Sequence, residues 1–83
     1  MRSWDEVFSV VREEAARALP GVDAVRVTPD VSLSDMGANS LDRMDIVVAS
    51  QDTLGITVPA AAFADVGNVR QLVDVLYGYC GNP

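Results

Sequence analysis

Apolar residues in the first part of the chain recur every three or four positions, at Trp4, Val7, Phe8, Val11, Ala15, Ala18 and Leu19. This spacing predicts an amphipathic helix over residues 4–19 with one buried stripe. Asp5, Arg12, Glu13, Glu14 and Arg17 fall on the opposite, solvent-facing side. Ser3 and Glu6 have the spacing of a capping box, and Pro20-Gly21 ends the helix. No period survives across residues 20–39, a stretch rich in Pro, Gly, Asp and Ser, so a long connection is expected there. Val25, Val27, Val31, Leu33 and Met36 are apolar enough to pin it to the core, and residues 24–28 read as extended loop rather than a short strand.

Periodicity returns at Ser40 and lasts to Leu54, with Gly55 as the stop. This second helix has two apolar stripes. One joins Ile46, Val47 and Leu54 with the small Ser50, and the other holds Leu41, Met44 and Val48, interleaved with Asp45, Gln51 and Asp52. A helix in a small bundle needs only one face for its core. The acid-rimmed stripe is therefore either a surface patch or covered by a neighbouring helix. Val58-Pro59 leads into a short helix over residues 60–64 anchored by Phe63. Asn68 caps a final helix from Val69 to Tyr79, with Gln71 at the capping-box position. Its buried stripe is Val69, Leu72, Val73, Leu76 and either Tyr79 or Cys80, and Gly81-Asn82-Pro83 is a frayed end. The expected fold is all-α: a small, roughly antiparallel four-helix bundle of three main helices and a short third one. A long loop joins the first two helices, and residues 1–83 form one domain.

Composition narrows the function. Eighty-three residues allow a single core with stability on the order of 4–12 kcal/mol and little room for an enclosed multi-step active site. The net charge is −6, every base is arginine, and from Asp30 to Asp65 six aspartates face one base, Arg43. Such a surface repels nucleic acid and anionic membranes and suits partners with basic patches, although the charge also serves solubility. There is no histidine, so Ser-His-Asp and Cys-His arrangements cannot be assembled. A single Cys80 rules out an internal disulfide and a cysteine-based zinc site. The N-terminus carries no leader-like pattern and no apolar run approaches membrane-spanning length, so a cytoplasmic location is expected, with a monomer as the expected state. Met1 and the short tails read as a separate gene product, although a trimmed domain would look similar.

The chemistry concentrates at Asp35-Met36-Gly37-Ala38-Asn39-Ser40-Leu41-Asp42-Arg43-Met44-Asp45. Gly37 permits a tight turn, and Ser40 stands where a helix begins. Unpaired backbone N–H groups and the positive end of the helix dipole there suit a phosphate on the serine oxygen. The competing reading makes Ser40 a plain N-cap, a role serine favours, and one residue could fill both roles.

The segment Asp35-x-Gly37-x-x-Ser40-Leu41 resembles the phosphopantetheine attachment motif of acyl carrier proteins. Three landmarks extend the resemblance over about residues 30–78. Asp30-x-Ser32-Leu33-x-Asp35-Met36-Gly37 is similar to the family's loop before the serine. Ile56-x-Val58-Pro59 resembles the step into its third helix, and Val66-Gly67-Asn68-Val69-Arg70-Gln71-Leu72-Val73 the start of its last. The resemblance implies a non-catalytic carrier. A phosphopantetheinyl transferase, using Mg²⁺ that does not stay, joins 4′-phosphopantetheine from coenzyme A to Ser40, and acyl groups ride on the arm as thioesters. It places partner enzymes on Leu41, Met44, Asp45, Val48 and Asp52.

Several positions depart from the family pattern. Asn39 replaces the usual Asp, Arg43 adds a positive charge, Gln51 stands where an acid is frequent, and Ala60-Ala61 replace acids. The run Gly37-Ala38-Asn39-Ser40-Leu41-Asp42-Arg43 resembles discrete carriers of polyketide β-branching cassettes in antibiotic biosynthesis. Those carriers hold an acetyl group made by decarboxylating a malonyl unit. The implied partners are an acyltransferase, a decarboxylating ketosynthase and a hydroxymethylglutaryl-synthase-like enzyme, with Asn39 and Arg43 as partner-selective residues and Asp42 on the same partner-binding face. The alternatives are a general polyketide or fatty acid carrier, a peptidyl carrier, or an unmodified acidic interaction module.

Overall fold

The computed structural model describes residues 2–80, so the expected frayed end at 81–83 lies outside the described residues. Three α-helices, α1 (Trp4–Ala18), α2 (Ser40–Leu54) and α3 (Val69–Tyr79), account for most of them, and no strand occurs among them. Helix α1 packs on both α2 and α3. The short helix expected at residues 60–64 is a 3₁₀ segment, Ala60–Phe63, which packs on α3. Two further 3₁₀ turns, Ala24–Arg26 and Ser34–Met36, punctuate the long connection.

The helix boundaries follow from local chemistry. Ser3 and Glu6 form the reciprocal capping box that starts α1. Gly55, at φ +69°, ends α2 with hydrogen bonds from Gly55 N–H to the Asp52 carbonyl and from Ile56 N–H to the Gln51 carbonyl. The second of these spans six residues, and a glycine reaches the left-handed turn that joins them at no steric cost. Asn68 caps α3 by accepting from the Gln71 N–H. The Gln71 side chain, however, accepts from Gly67 N–H at 2.6 Å rather than from the cap residue, which moves the second half of the expected box one residue upstream.

Val7, Val11, Ala15, Ile46, Leu72, Val73 and Leu76 make the centre of the core, so each main helix buries the stripe its periodicity marks. At the end of α3 it is Cys80 that is buried, while Tyr79 is exposed. One end of α1 carries a stack in which Trp4 and Phe8 lie 5.5 Å apart and the Arg12 guanidinium sits 4.6 Å from the Phe8 ring centre. Trp4 Nε1 donates to Asp74 on α3 at 2.7 Å, which fixes the pairing of these helices.

Two expectations are corrected. Glu14, assigned to the outer face of α1, is buried. It turns toward α2, where it accepts from Thr53 Oγ1 at 3.3 Å and pairs with Arg17 at 3.1 Å. These partners replace the water it gives up. Val25 does not pin the connection, being 71% exposed, because the turn at Ala24–Arg26 directs it outward. Val27 and Leu33 are buried, and Val31 and Met36 pack against the core at its margin. Backbone bonds supply the rest of the anchoring: Val69 N–H and Arg70 N–H, in the first turn of α3, donate to the Val31 and Pro29 carbonyls at 2.9 and 2.8 Å. First-turn N–H groups have no partner within their own helix, and the loop provides one.

Ser50 is fully buried on α2 and its hydroxyl has no hydrogen-bond partner among the described residues. A hydroxyl held this way destabilises the fold, and serine is also a weaker helix former than alanine. Ser50→Ala is therefore expected to raise stability by about 0.5–1.5 kcal/mol. A higher urea midpoint with an unchanged slope would show it, and a lower midpoint would mean that the hydroxyl has a partner in solution.

Candidate functional site

Helix α2 begins at Ser40, but Ser40 does not cap it. Asn39 does, accepting from Asp42 N–H at 2.8 Å, while the Asp42 carboxylate accepts from Asn39 N–H at 3.1 Å. The sequence contained the signal for this register. Three residues after Asn39 stands Asp42, an acceptor able to complete a reciprocal box, whereas three residues after Ser40 stands Arg43, which has no acceptor. The cap reading of Ser40 is thus overturned, and its side chain is exposed at the first helical position, free of capping duty.

The approach to Ser40 is a compact turn. Ser32 Oγ accepts from Asp35 N–H at 3.0 Å, and Gly37, at φ +92°, donates to the Ser34 carbonyl. Ala38 N–H donates to the Leu33 carbonyl and its side chain is buried, which fixes the direction in which the chain enters α2. Arg43, one turn into the helix, reaches back. Its Nη1 donates to Ser34 Oγ at 2.8 Å and its Nη2 to Ser40 Oγ at 3.3 Å. Nothing in the sequence marked Ser34, because a side-chain contact across nine positions between loop and helix has no periodic signature.

The two apolar stripes of α2 have different fates. Ile46, Ser50 and Leu54 face the core, while Leu41, Met44 and Val48 are 72, 62 and 56% exposed. Asp45 and Asp52 are exposed, Asp42 is half-buried, and Asn39 and Arg43 are exposed beside Ser40. The residues expected to meet partners thus come together around the start and outer face of α2, although Asn39 and Asp42 also hold that helix start. A groove of about 700 Å³ runs along α2, with Ser40 and Arg43 among its lining. Met44, Val47, Phe63 and Val66 give it an apolar wall. Gln51 uses its side-chain oxygen to accept from Val58 N–H at 2.8 Å, tying the 55–58 segment to α2.

A three-helix chain with an exposed serine at the first residue of α2, an acidic helix face and an apolar groove beside that serine has the form of a tethering module. The family described as the phosphopantetheine attachment site matches residues 9–76. The polyketide biosynthesis acyl-carrier-protein AcpK of Bacillus subtilis (strain 168) is 31% identical over 71 residues, covering 86% of this chain and 87% of that protein. An acyl carrier protein of Guillardia theta is 35% identical over 72 residues, covering 86% and 88%. The chloroplastic acyl carrier protein 1 of Spinacia oleracea is 36% identical over 72 residues, covering 87% of this chain and 49% of its own length. The chain belongs to the acyl carrier protein family, non-catalytic carriers with a covalent phosphopantetheine group that work with a phosphopantetheinyl transferase and acyl-handling enzymes. No described helix is long and apolar enough to cross a membrane.

Proposed function

We propose that Ser40 is the attachment residue and that the chain delivers acetyl or malonyl units in polyketide biosynthesis, as donor to a β-branching synthase of the hydroxymethylglutaryl type. The observation that carries the attachment is the division of labour at the start of α2: Asn39 caps the helix, which leaves the Ser40 hydroxyl exposed for modification. The surroundings fit a phosphodiester. A guanidinium already donates to the serine oxygen, and the first-turn N–H groups of α2 lie at the positive end of the helix dipole. When bound, the arm supplies a terminal thiol on which acyl groups travel as thioesters.

The donor role draws on the run Gly37 to Arg43 and on the likeness to a carrier whose name places it in polyketide biosynthesis. Leu41, Met44 and Val48, with Asp45 and Asp52 at their rim, form the surface through which partner enzymes would read the carrier, and Asn39, Asp42 and Arg43 extend it to the attachment point. Encounters on such a face are brief and weaken with salt, as a shuttle requires. Residues 1–83 act as one carrier domain of an all-α, four-helix type in which the 3₁₀ segment takes the place of the short helix, and a cytoplasmic monomer completes the reading.

Acetyl-loaded holo protein is expected to serve a purified β-branching synthase, with the acetyl group moving from the carrier to a β-keto acyl acceptor. Mass spectrometry of the carrier before and after transfer follows the reaction. Should the synthase leave this acetyl-carrier untouched while consuming another acetyl-carrier, the general polyketide or fatty acid reading replaces the donor reading. The simple acyl carrier name of the Guillardia theta relative favours that second reading.

A further inference from the structure

Arg43 is oddly placed for a structural cation. It lies in the first turns of α2, near the positive end of the helix dipole, where a positive charge is disfavoured. The ion pairs among the described residues are Arg17–Glu14 and Arg70–Asp30, and Arg43 belongs to neither, although it is the one base in the acidic stretch between Asp30 and Asp65. Its two hydrogen bonds go instead to neutral hydroxyls, one on either side of the guanidinium: Ser34 Oγ at 2.8 Å and Ser40 Oγ at 3.3 Å. The first is short and braces the group against the loop. The second is longer and aims the group at the atom on which the modification is read.

We propose that Arg43, braced by Ser34, is a positioning residue for the phosphodiester on Ser40, clamping the root of the arm at the mouth of the groove along α2. The inference rests on the attachment of the arm to Ser40. A phosphodiester is a monoanion at neutral pH and a guanidinium stays protonated, so no proton has to move for the pair to form. The planar fork of arginine offers further N–H groups once one nitrogen is committed to Ser34, and these match the non-bridging oxygens of a phosphate. With an anion on Ser40, the cation near the helix start gains the anionic partner it lacks among the described residues. Because Ser40 and Arg43 both line the groove, holding the phosphate there restricts the directions in which the arm can leave the protein. Lysine could supply the charge but not the fork.

The test uses the full chain loaded from coenzyme A by a broad-specificity phosphopantetheinyl transferase, with loading verified by intact mass and folding by circular dichroism. Phosphorus NMR of the wild-type holo protein is expected to show a resonance displaced from that of a freely tumbling phosphopantetheine diester. Loading should also shift the Arg43 side-chain N–H signals. In Arg43→Ala the phosphorus resonance should return to the free-diester position, in Arg43→Lys the displacement should be partly restored, and in Ser34→Ala it should shrink. A role for Arg43 confined to holding the loop would leave the phosphorus signal alone. Identical phosphorus resonances in fully loaded wild type and Arg43→Ala would overturn the clamp and leave attachment intact. A wild type that gains no mass would overturn attachment, and the clamp with it.

Discussion

Ser40→Ala is expected to abolish loading while leaving the fold intact. Incubated with coenzyme A and a broad-specificity transferase, the wild type should gain the mass of one phosphopantetheine group, and the variant should gain nothing. The expectation is clean because Ser40 carries no structural role that alanine would remove. The cap belongs to Asn39, the side chain is exposed, and its hydrogen bond from Arg43 spans 3.3 Å. The variant's stability should stay within about 0.5 kcal/mol of the wild-type value, as for other surface substitutions. A mass gain in Ser40→Ala would move the attachment elsewhere and defeat the reading of this site.

The second large effect separates the two faces of α2. Ile46 is fully buried, and Ile46→Ala should cost about 2–5 kcal/mol through lost burial and the cavity left behind. In a domain of this size that corresponds to a melting midpoint lower by roughly 10 °C or more. Val48, two positions on and 56% exposed, should tolerate alanine within about 0.5 kcal/mol. Val48→Ala should instead weaken transfer to the partner enzyme, because it trims the apolar patch without loosening the core. Thermal melts of the pair decide the matter, and similar losses in both would show that the outer stripe is buried in solution.

Much of the fold was legible in the sequence where periodicity and end signals agreed. Helices α1 and α3 each combine one apolar stripe with a side-chain cap, and their limits follow from those residues. For α2 the ends were equally clear, but its pattern left open whether the acid-rimmed stripe was covered as well, since burial depends on where other helices pack rather than on the helix itself. The serine was legible as the start of α2, but whether it also capped the helix stayed open, because Asn39 and Ser40 are both good caps and only the acceptor at Asp42 separates them. Glu14 shows a different limit. A carboxylate on a helix surface reads as solvated, and only the packing of α1 on α2 brings Thr53 to it. The same holds for Ser34, whose bond to Arg43 exists because a 3₁₀ turn brings the loop beside the helix start.

The bonds from Val69 and Arg70 to the Val31 and Pro29 carbonyls join the start of the last helix to the middle of the long connection. Amide protons in a first helical turn usually exchange with solvent water freely, whereas these two should exchange slowly, at the pace at which the connection lifts away from α3. They therefore act as built-in reporters of a motion in a distant part of the chain. Ser34 belongs to that same connection, so whatever loosens the backbone at Pro29 and Val31 should also blur the orientation of the guanidinium beside Ser40.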